Sequence, residues 1–448
     1  MVTNPDSTFH AARLRPIAQL ALPIVGGMAS QNVLNLVDTA MVGTLGDAAL
    51  AAVGAGGFVN FASVAMLMGL SSGVQAMVAR RKGAGNTQDM AVILNGAMLV
   101  AVLFAIPWSA ILIHFMPDIF ALLNPDATVV QEGSNYLQLR LIGVTAVGIN
   151  FSFRGYWNGI NRSAIYMRTL IIMHASNILL NWLLIFGKLG FPEMGTAGAG
   201  LASAISTYIG VANYLYLGRR HAGEYGFLKR LPRMATIKTL LRLSLPFGTQ
   251  QTLFAAGHTL LFWILGQVGT RETAAAAVLI PIMLIAILPG LALGMSAATL
   301  VGQALGRKDP EDAKRWAWDV VKISLIALGI LGLPMLLVPN FFLSFFLHNP
   351  ETMAIARVPL MAFACWILFD AIGLVLMHAH LGAGDAKTSM KVTIGCQWIF
   401  FLPLAYLIGP VLGFGILGVW IVQGIYRGVQ TLFFVWLWRK GDWQAIKV

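Results

Sequence analysis

Carboxylates and amides set at helical intervals inside long apolar runs are the residues of this sequence best able to do chemistry. Gln31, Asn35 and Asp38 fall at i, i+4 and i+7, on one face of a helix. His174, Asn177 and Asn181 repeat the device at i, i+3 and i+7. The two polar stripes could face each other inside one bundle. A carboxylate with several amide oxygens suits a hard cation such as sodium. Buried among apolar neighbours, the same carboxylate could instead carry a proton. The plainer alternative is a polar cluster that glues helices together. Glue needs no charge, however, and a carboxylate at mid-membrane costs about 2.5–3.5 kcal/mol on insertion scales.

Asp370 is a second carboxylate within an apolar run, and Gln250, Gln251 and His258 in an earlier run could face it as a second cation or substrate site. The remaining charges have simpler uses. Arg154 can snorkel to a surface, and Arg140 and Arg357 stand near the other ends of their runs, where they could orient helices. Arg427 is either a salt-bridge partner or a snorkelling side chain. His378 and His380, at i and i+2, point apart on a helix and do not suggest a metal pair.

The elements that must position these groups are membrane spans. Of 448 residues, 58% are hydrophobic and 11% charged, against roughly 25% charged in a soluble domain. Apolar stretches of about 20 residues, enough to cross hydrocarbon, recur about twelve times, from near Pro16–Gly43 to near Phe414–Trp438. No room is left for a sizeable soluble domain. The net charge of +12 would suggest nucleic acid in a soluble protein. Here the cations gather in alternate loops: Arg13 and Arg15, then Arg80 to Lys82, Arg219 to Arg242, Arg307 to Arg315, Lys387 and Lys391, and finally Arg439, Lys440 and Lys447. Asp118, Asp126 and Glu132 lie in the other set. The positive-inside rule then puts both termini in the cytoplasm of a multi-pass membrane protein, in the inner membrane if the cell is Gram-negative. Cys365 and Cys396 sit in apolar runs and define neither a disulfide nor a metal site. The first apolar run is too long for the core of a secretory signal, so a retained span is expected.

The halves of the chain echo one another at a nearly constant offset. Leu22-Pro23 recurs as Leu245-Pro246, Gly43 and Gly46 as Gly266 and Gly269, and Gly195 and Gly198 as Gly415 and Gly418. His258 is the counterpart of Asn35, whereas Asp370 answers to Thr145. Six spans per copy is an even number, so both copies enter from the same side. The expected fold is an all-α integral membrane protein of about 12 transmembrane helices, in two six-helix lobes related by a pseudo-twofold axis along the membrane normal. The expected divisions are an N-terminal lobe 1–218, a basic linker 219–242 and a C-terminal lobe 243–448. Pro23, Pro246, Pro281, Pro289 and Pro334 fall within spans and should kink them.

These residues carry a resemblance. The stretch Asn35–Gly43, the segment Asn177–Trp182, the Gly195–Gly200 turn, and Phe369-Asp370-Ala371 followed by Gly382–Asp385 are similar to the multidrug and toxic compound extrusion (MATE) transporters, along essentially the whole chain. The resemblance implies two six-helix lobes around a central cleft, and export of amphipathic or cationic compounds in exchange for sodium or protons. Pro23 matches the family's first-helix proline. Asp38 matches the first-helix aspartate and Asn177 its companion, so sodium, if it is the ion, is expected at Asp38 and Asn177. Asn181 stands where the DinF-like branch has a second aspartate, which favours the NorM-like branch, and Asp370 matches that branch's tenth-helix aspartate. NorM-like proteins usually place a glutamate before a Thr-Leu-Phe-Ala run. Here Gln250-Gln251 precede Thr252–Ala255, so a negative charge near Asp370 is lost.

The expected function is therefore cation-coupled antiport, by proton or sodium, of small amphipathic drugs out of the cytoplasm by alternating access. No cofactor, nucleic acid or second subunit is expected. A flippase for a lipid-linked saccharide is the alternative within transport, although such proteins tend to have more spans and a cation-rich cleft. A membrane enzyme would need converging nucleophiles or metal ligands at one interface, and the sequence offers no such cluster.

Overall fold

The computed structural model describes residues 11–347, 349–446 and 448; Lys447, one of the cations after the last span, lies outside them. Among the described residues the chain is helical, with no β-strand. The first half holds α1 (Ala11–Gly43), α2 (Asp47–Gly83), α3 (Met90–Leu123), α4 (Ala127–Leu141) continued by α5 (Val144–Gly159), α6 (Ser163–Ile185) and α7 (Gly195–Ala222). The second half holds α8 (Met234–Val268), α9 (Thr270–Ala286) continued by α10 (Leu288–Gly306), α11 (Pro310–Leu337) and a short α12 (Pro339–Ser344). It ends with α13 (Pro350–Gly382), α14 (Ala386–Ile394), α15 (Leu402–Tyr406) and α16 (Gly415–Lys440). Taking α4–α5, α9–α10 and α14–α15 as one span each gives the twelve that the composition predicts.

Helices are what a lipid solvent allows, because every backbone polar group must be satisfied within its own segment. Helix α1, at 33 residues, reaches roughly 50 Å, more than a hydrocarbon core of about 30 Å. Among the described residues, eight helical segments are long and apolar enough to cross a membrane on length and composition alone. Large apolar side chains lie bare on the outside, among them Leu122 at 88% and Ile399 at 81% exposure. Such a surface is tolerable against acyl chains and a liability in water.

The internal repeat is written into the helix ends. Asp126 caps α4 by accepting from the backbone N–H of Thr128 at 2.8 Å. At the equivalent start of α13, Asn349 accepts from Glu351 N at 2.9 Å. Each satisfies an orphan donor of a first turn. Gly195 and Gly415, at the start of α7 and α16, both adopt left-handed backbone, with φ of 56° and 62°, where a side chain would be strained. Pro23, Pro246, Pro281 and Pro334 lie inside helices. Pro289 instead opens α10, so it marks the break in the eighth span at Ile287 rather than a kink. The eleventh span holds two π-helical stretches, Gly395–Phe401 and Leu407–Val411, which nothing in the residue pattern announces.

The described residues pack as two compact units, 26–255 with Val448, and 11–25 with 256–446. Helices α1 and α8 are each divided between them. In the unit of 26–255, one core cluster gathers Phe153, Tyr156, Trp157, Tyr214 and Phe227, and a second gathers Met116, Phe120, Leu137 and Ile185. The other unit has one continuous core, in which Ile17 and Leu20 of α1 join Trp366, Phe401, Trp420 and Phe434. The packing that matters most for the site is that of α7 on α4. A Cβ on Gly200 would collide with the Tyr136 carbonyl oxygen, so only glycine lets these two backbones approach so closely.

Candidate cation site on α1 and α6

The two polar stripes meet within the unit of 26–255. Asn181 Nδ2 donates to Asp38 Oδ1 at 2.6 Å and to Asn177 Oδ1 at 3.0 Å. Asn177 Nδ2 in turn donates to Ser203 Oγ at 3.1 Å and Ser206 Oγ at 3.2 Å, both on α7. Asn181 and Asn177 are fully enclosed, at 0% and 2% exposure, while Asp38 is half-buried. The amide chain therefore runs from a half-buried carboxylate into an enclosed interior. The Asn181 carbonyl oxygen is buried without a donor. Oxygen atoms in that state are uncommon and suit a cation.

Two turns earlier on each helix the stripes meet again. His174 lies between Ser30 Oγ, 2.9 Å from Nδ1, and Gln31 Oε1, 3.1 Å from Nε2. Gln31 Nε2 donates to Asn35 Oδ1 at 3.1 Å. His174 thus ties the segment of α1 just beyond Pro23 to α6, and Gln31 and Asn35 carry that tie toward Asp38.

One neighbour of Asp38 comes from a helix outside both stripes. Arg140 of α4 acts on its carboxylate through space. The guanidinium hydrogen-bonds instead to Tyr136 Oη and, at 3.4 Å, to Ser203 Oγ, and it lies 5.5 Å from the Tyr136 ring centroid. The carboxylate is therefore biased by a cation without being locked to it. A sequence reading takes Arg140 as a helix-orienting residue and passes over Tyr136, Ser203 and Ser206. Arg140 and Tyr136 are spaced i, i+4 on one face, the one signal that could have flagged them.

The second set of residues is not gathered in the same way. Gln250 is buried and Gln251 Nε2 points at Met68 Sδ of α2 at 3.9 Å, both in the unit of 26–255. His258, half-buried, belongs to the other unit, as does Asp370. Asp370 is 4% exposed and its Oδ1 lies 3.2 Å from Arg427 Nε of α16. Arg427 is thus a salt-bridge partner rather than a snorkelling side chain.

A protein-family model described as MatE matches residues 23–183 and again 246–407, so each stretch begins at one of the paired prolines. A probable multidrug resistance protein NorM of Thermotoga maritima is 25% identical over 448 residues, covering 96% of this chain and 93% of the relative. Its counterpart in Pseudomonas aeruginosa is 29% identical over 450 residues, covering 94% and 89%. Among solved structures, an outward-facing multidrug resistance MATE family transporter of the MOP superfamily has a TM-score of 0.88 at 20% identity, covering 97% of both chains. A eukaryotic MATE transporter has a TM-score of 0.86 at 18% identity, covering 96% of this chain and 97% of that one.

Proposed function

The chain belongs to the MatE family of membrane transporters, and from that premise we propose that it exports amphipathic cationic drugs in exchange for a cation held at Asp38. The observation that carries this reading is the setting of Asp38. It is a half-buried carboxylate joined to the enclosed amides of Asn181 and Asn177, with Arg140 nearby but bonded elsewhere. A carboxylate that is neither buried in an ion pair nor fully solvated can take a cation and give it back. The relatives named as multidrug resistance proteins supply the substrate class.

In this reading, Asp38 takes up a proton or a sodium ion while the substrate site faces outward. Loss of the negative charge weakens the hold on a cationic substrate, which leaves. The coupling is reciprocal, so ion and substrate each lower the other's affinity. One charge moving through 100 mV supplies about 2.3 kcal/mol, roughly a fifty-fold substrate gradient. Alternating access carries the site across. Both termini are cytoplasmic, by the distribution of cations, and the chain works as a monomer in the cell membrane.

The test is drug efflux from proteoliposomes under separately imposed sodium and proton gradients. One gradient should drive efflux by the unmodified chain. Asp38→Asn should insert and melt normally yet lose all gradient-driven efflux. Undiminished efflux by that variant would end the assignment.

A further inference from the structure

The carboxylate of the second unit is framed by packed helix surface. Helices α13 and α16 meet along a row in which Gly424 receives Trp366, Gly428 faces Phe369, and Gly373 faces Thr431. Thr431 Oγ1 donates to the Phe369 carbonyl at 2.9 Å. Within this row Arg427 Nε reaches Asp370 Oδ1 at 3.2 Å, and its Nη1 donates to Gln430 Oε1 at 3.3 Å. The guanidinium therefore bridges two buried side-chain oxygens, one of them charged, and holds its positive charge against both. The Arg427 and Asp370 side chains are 16% and 4% exposed. An ion pair this enclosed does not open without leaving a buried charge unpaired.

We propose that Arg427 is a tethered cation standing where a transported ion would otherwise bind Asp370, so that the chain couples one cation per cycle, at Asp38. The inference deepens the reading of Asp38 as the ion carrier and rests on it. It also means that Asp370, already paired to Arg427, does not fit a second sodium site. Asp370 is a structural counter-ion of α16. Arg427 sets the ion stoichiometry by occupying the second carboxylate. The contrast with Asp38 is one of geometry, because Arg140 stands near Asp38 but spends its hydrogen bonds on Tyr136 and Ser203.

The experiment is equilibrium binding of radiolabelled sodium to the purified full chain in detergent, paired with melting curves with and without sodium. Arg427→Gln empties the guanidinium's place and leaves the Asp370 and Gln430 oxygens. It should bind one more sodium ion per chain than the unmodified protein and melt higher when sodium is added. Adding Asp370→Asn to it should remove both effects. A folded Arg427→Gln that gains no sodium overturns the proposal. If Arg427→Gln does not fold, the neutral pair Asp370→Asn with Arg427→Gln decides. Coupled efflux with an unchanged ion-to-drug ratio upholds the proposal, and loss of a bound ion or of coupling overturns it. The Asp38→Asn arm separates this from the parent reading: if it binds and couples normally, the carrier assignment fails, whatever Arg427 does.

Discussion

Asn181→Ala removes the single amide that joins the carboxylate of α1 to the interior of the site. Its Nδ2 donates to Asp38 at 2.6 Å and to Asn177 at 3.0 Å. The first bond is charge-assisted and is worth about 1.5–3 kcal/mol. At about 1.4 kcal/mol per tenfold change in an equilibrium constant, its loss shifts the coupling ion's half-saturation by roughly ten- to a hundred-fold. The sign depends on the ion. A proton would bind Asp38 more readily once the donor that favours the bare carboxylate is gone, so half-maximal efflux would occur at a lower proton concentration. Sodium would lose the unpartnered Asn181 carbonyl oxygen as a ligand, and half-maximal efflux would need more sodium. The assay is initial efflux rate in proteoliposomes, titrated against each ion separately, with a melting curve to confirm the fold. Stability should fall by about 1–3 kcal/mol, because Asn177 Oδ1 is left buried without its donor. A well-folded variant whose ion titrations both overlay the unmodified protein would refute the role given to this amide chain.

Two further outcomes follow from the packing. Gly200→Val should drive α7 off α4, because even its Cβ meets the Tyr136 carbonyl; a large drop in melting temperature and yield is expected, whereas an unchanged melt would mean the backbones can part cheaply. Asp385, in the turn before α14, is opposed by burial, but hydrogen bonds from His380 and Thr388 outweigh it and hold the carboxyl below the usual range. A lowered folded value stabilises the chain above the unfolded value of about 3.9 and ceases to do so as pH falls through the folded one. Asp385→Asn should therefore melt lower at neutral pH and lose less stability on acidification, checked by melting curves from neutral pH downward.

The repeat and the polar spacing made much of this legible. The run of apolar segments predicts the span count, and the i, i+4, i+7 and i, i+3, i+7 spacings predict the face that Asp38 shares with its amides. Helical periodicity does not say which helices become neighbours, so the spacing leaves Arg140 as a helix-orienting residue and gives no sign of Tyr136, Ser203 or Ser206, which join the site only because α4 and α7 close on Gly200. For the same reason Arg427 could not be assigned from its own segment, since its partner lies more than a full helix away in sequence. The π-helical turns of the eleventh span have no residue signature comparable to a proline or a cap. The division of α1 and α8 between packing units likewise follows from tertiary packing alone.

The agreement of Asp126 with Asn349, and of Gly195 with Gly415, lets the chain be compared with itself. What the two copies share is punctuation: a capping side chain where one helix begins, and a glycine where another must turn through left-handed backbone. What they do not share is the charged interior. The counterpart of Asp38 at the same offset is Leu261, a core residue at 2% exposure, and the second copy places its own carboxylate on a different helix beside an arginine. The scaffold of the two copies thus stayed legible while their interiors diverged, an open carboxylate in one and a closed ion pair in the other.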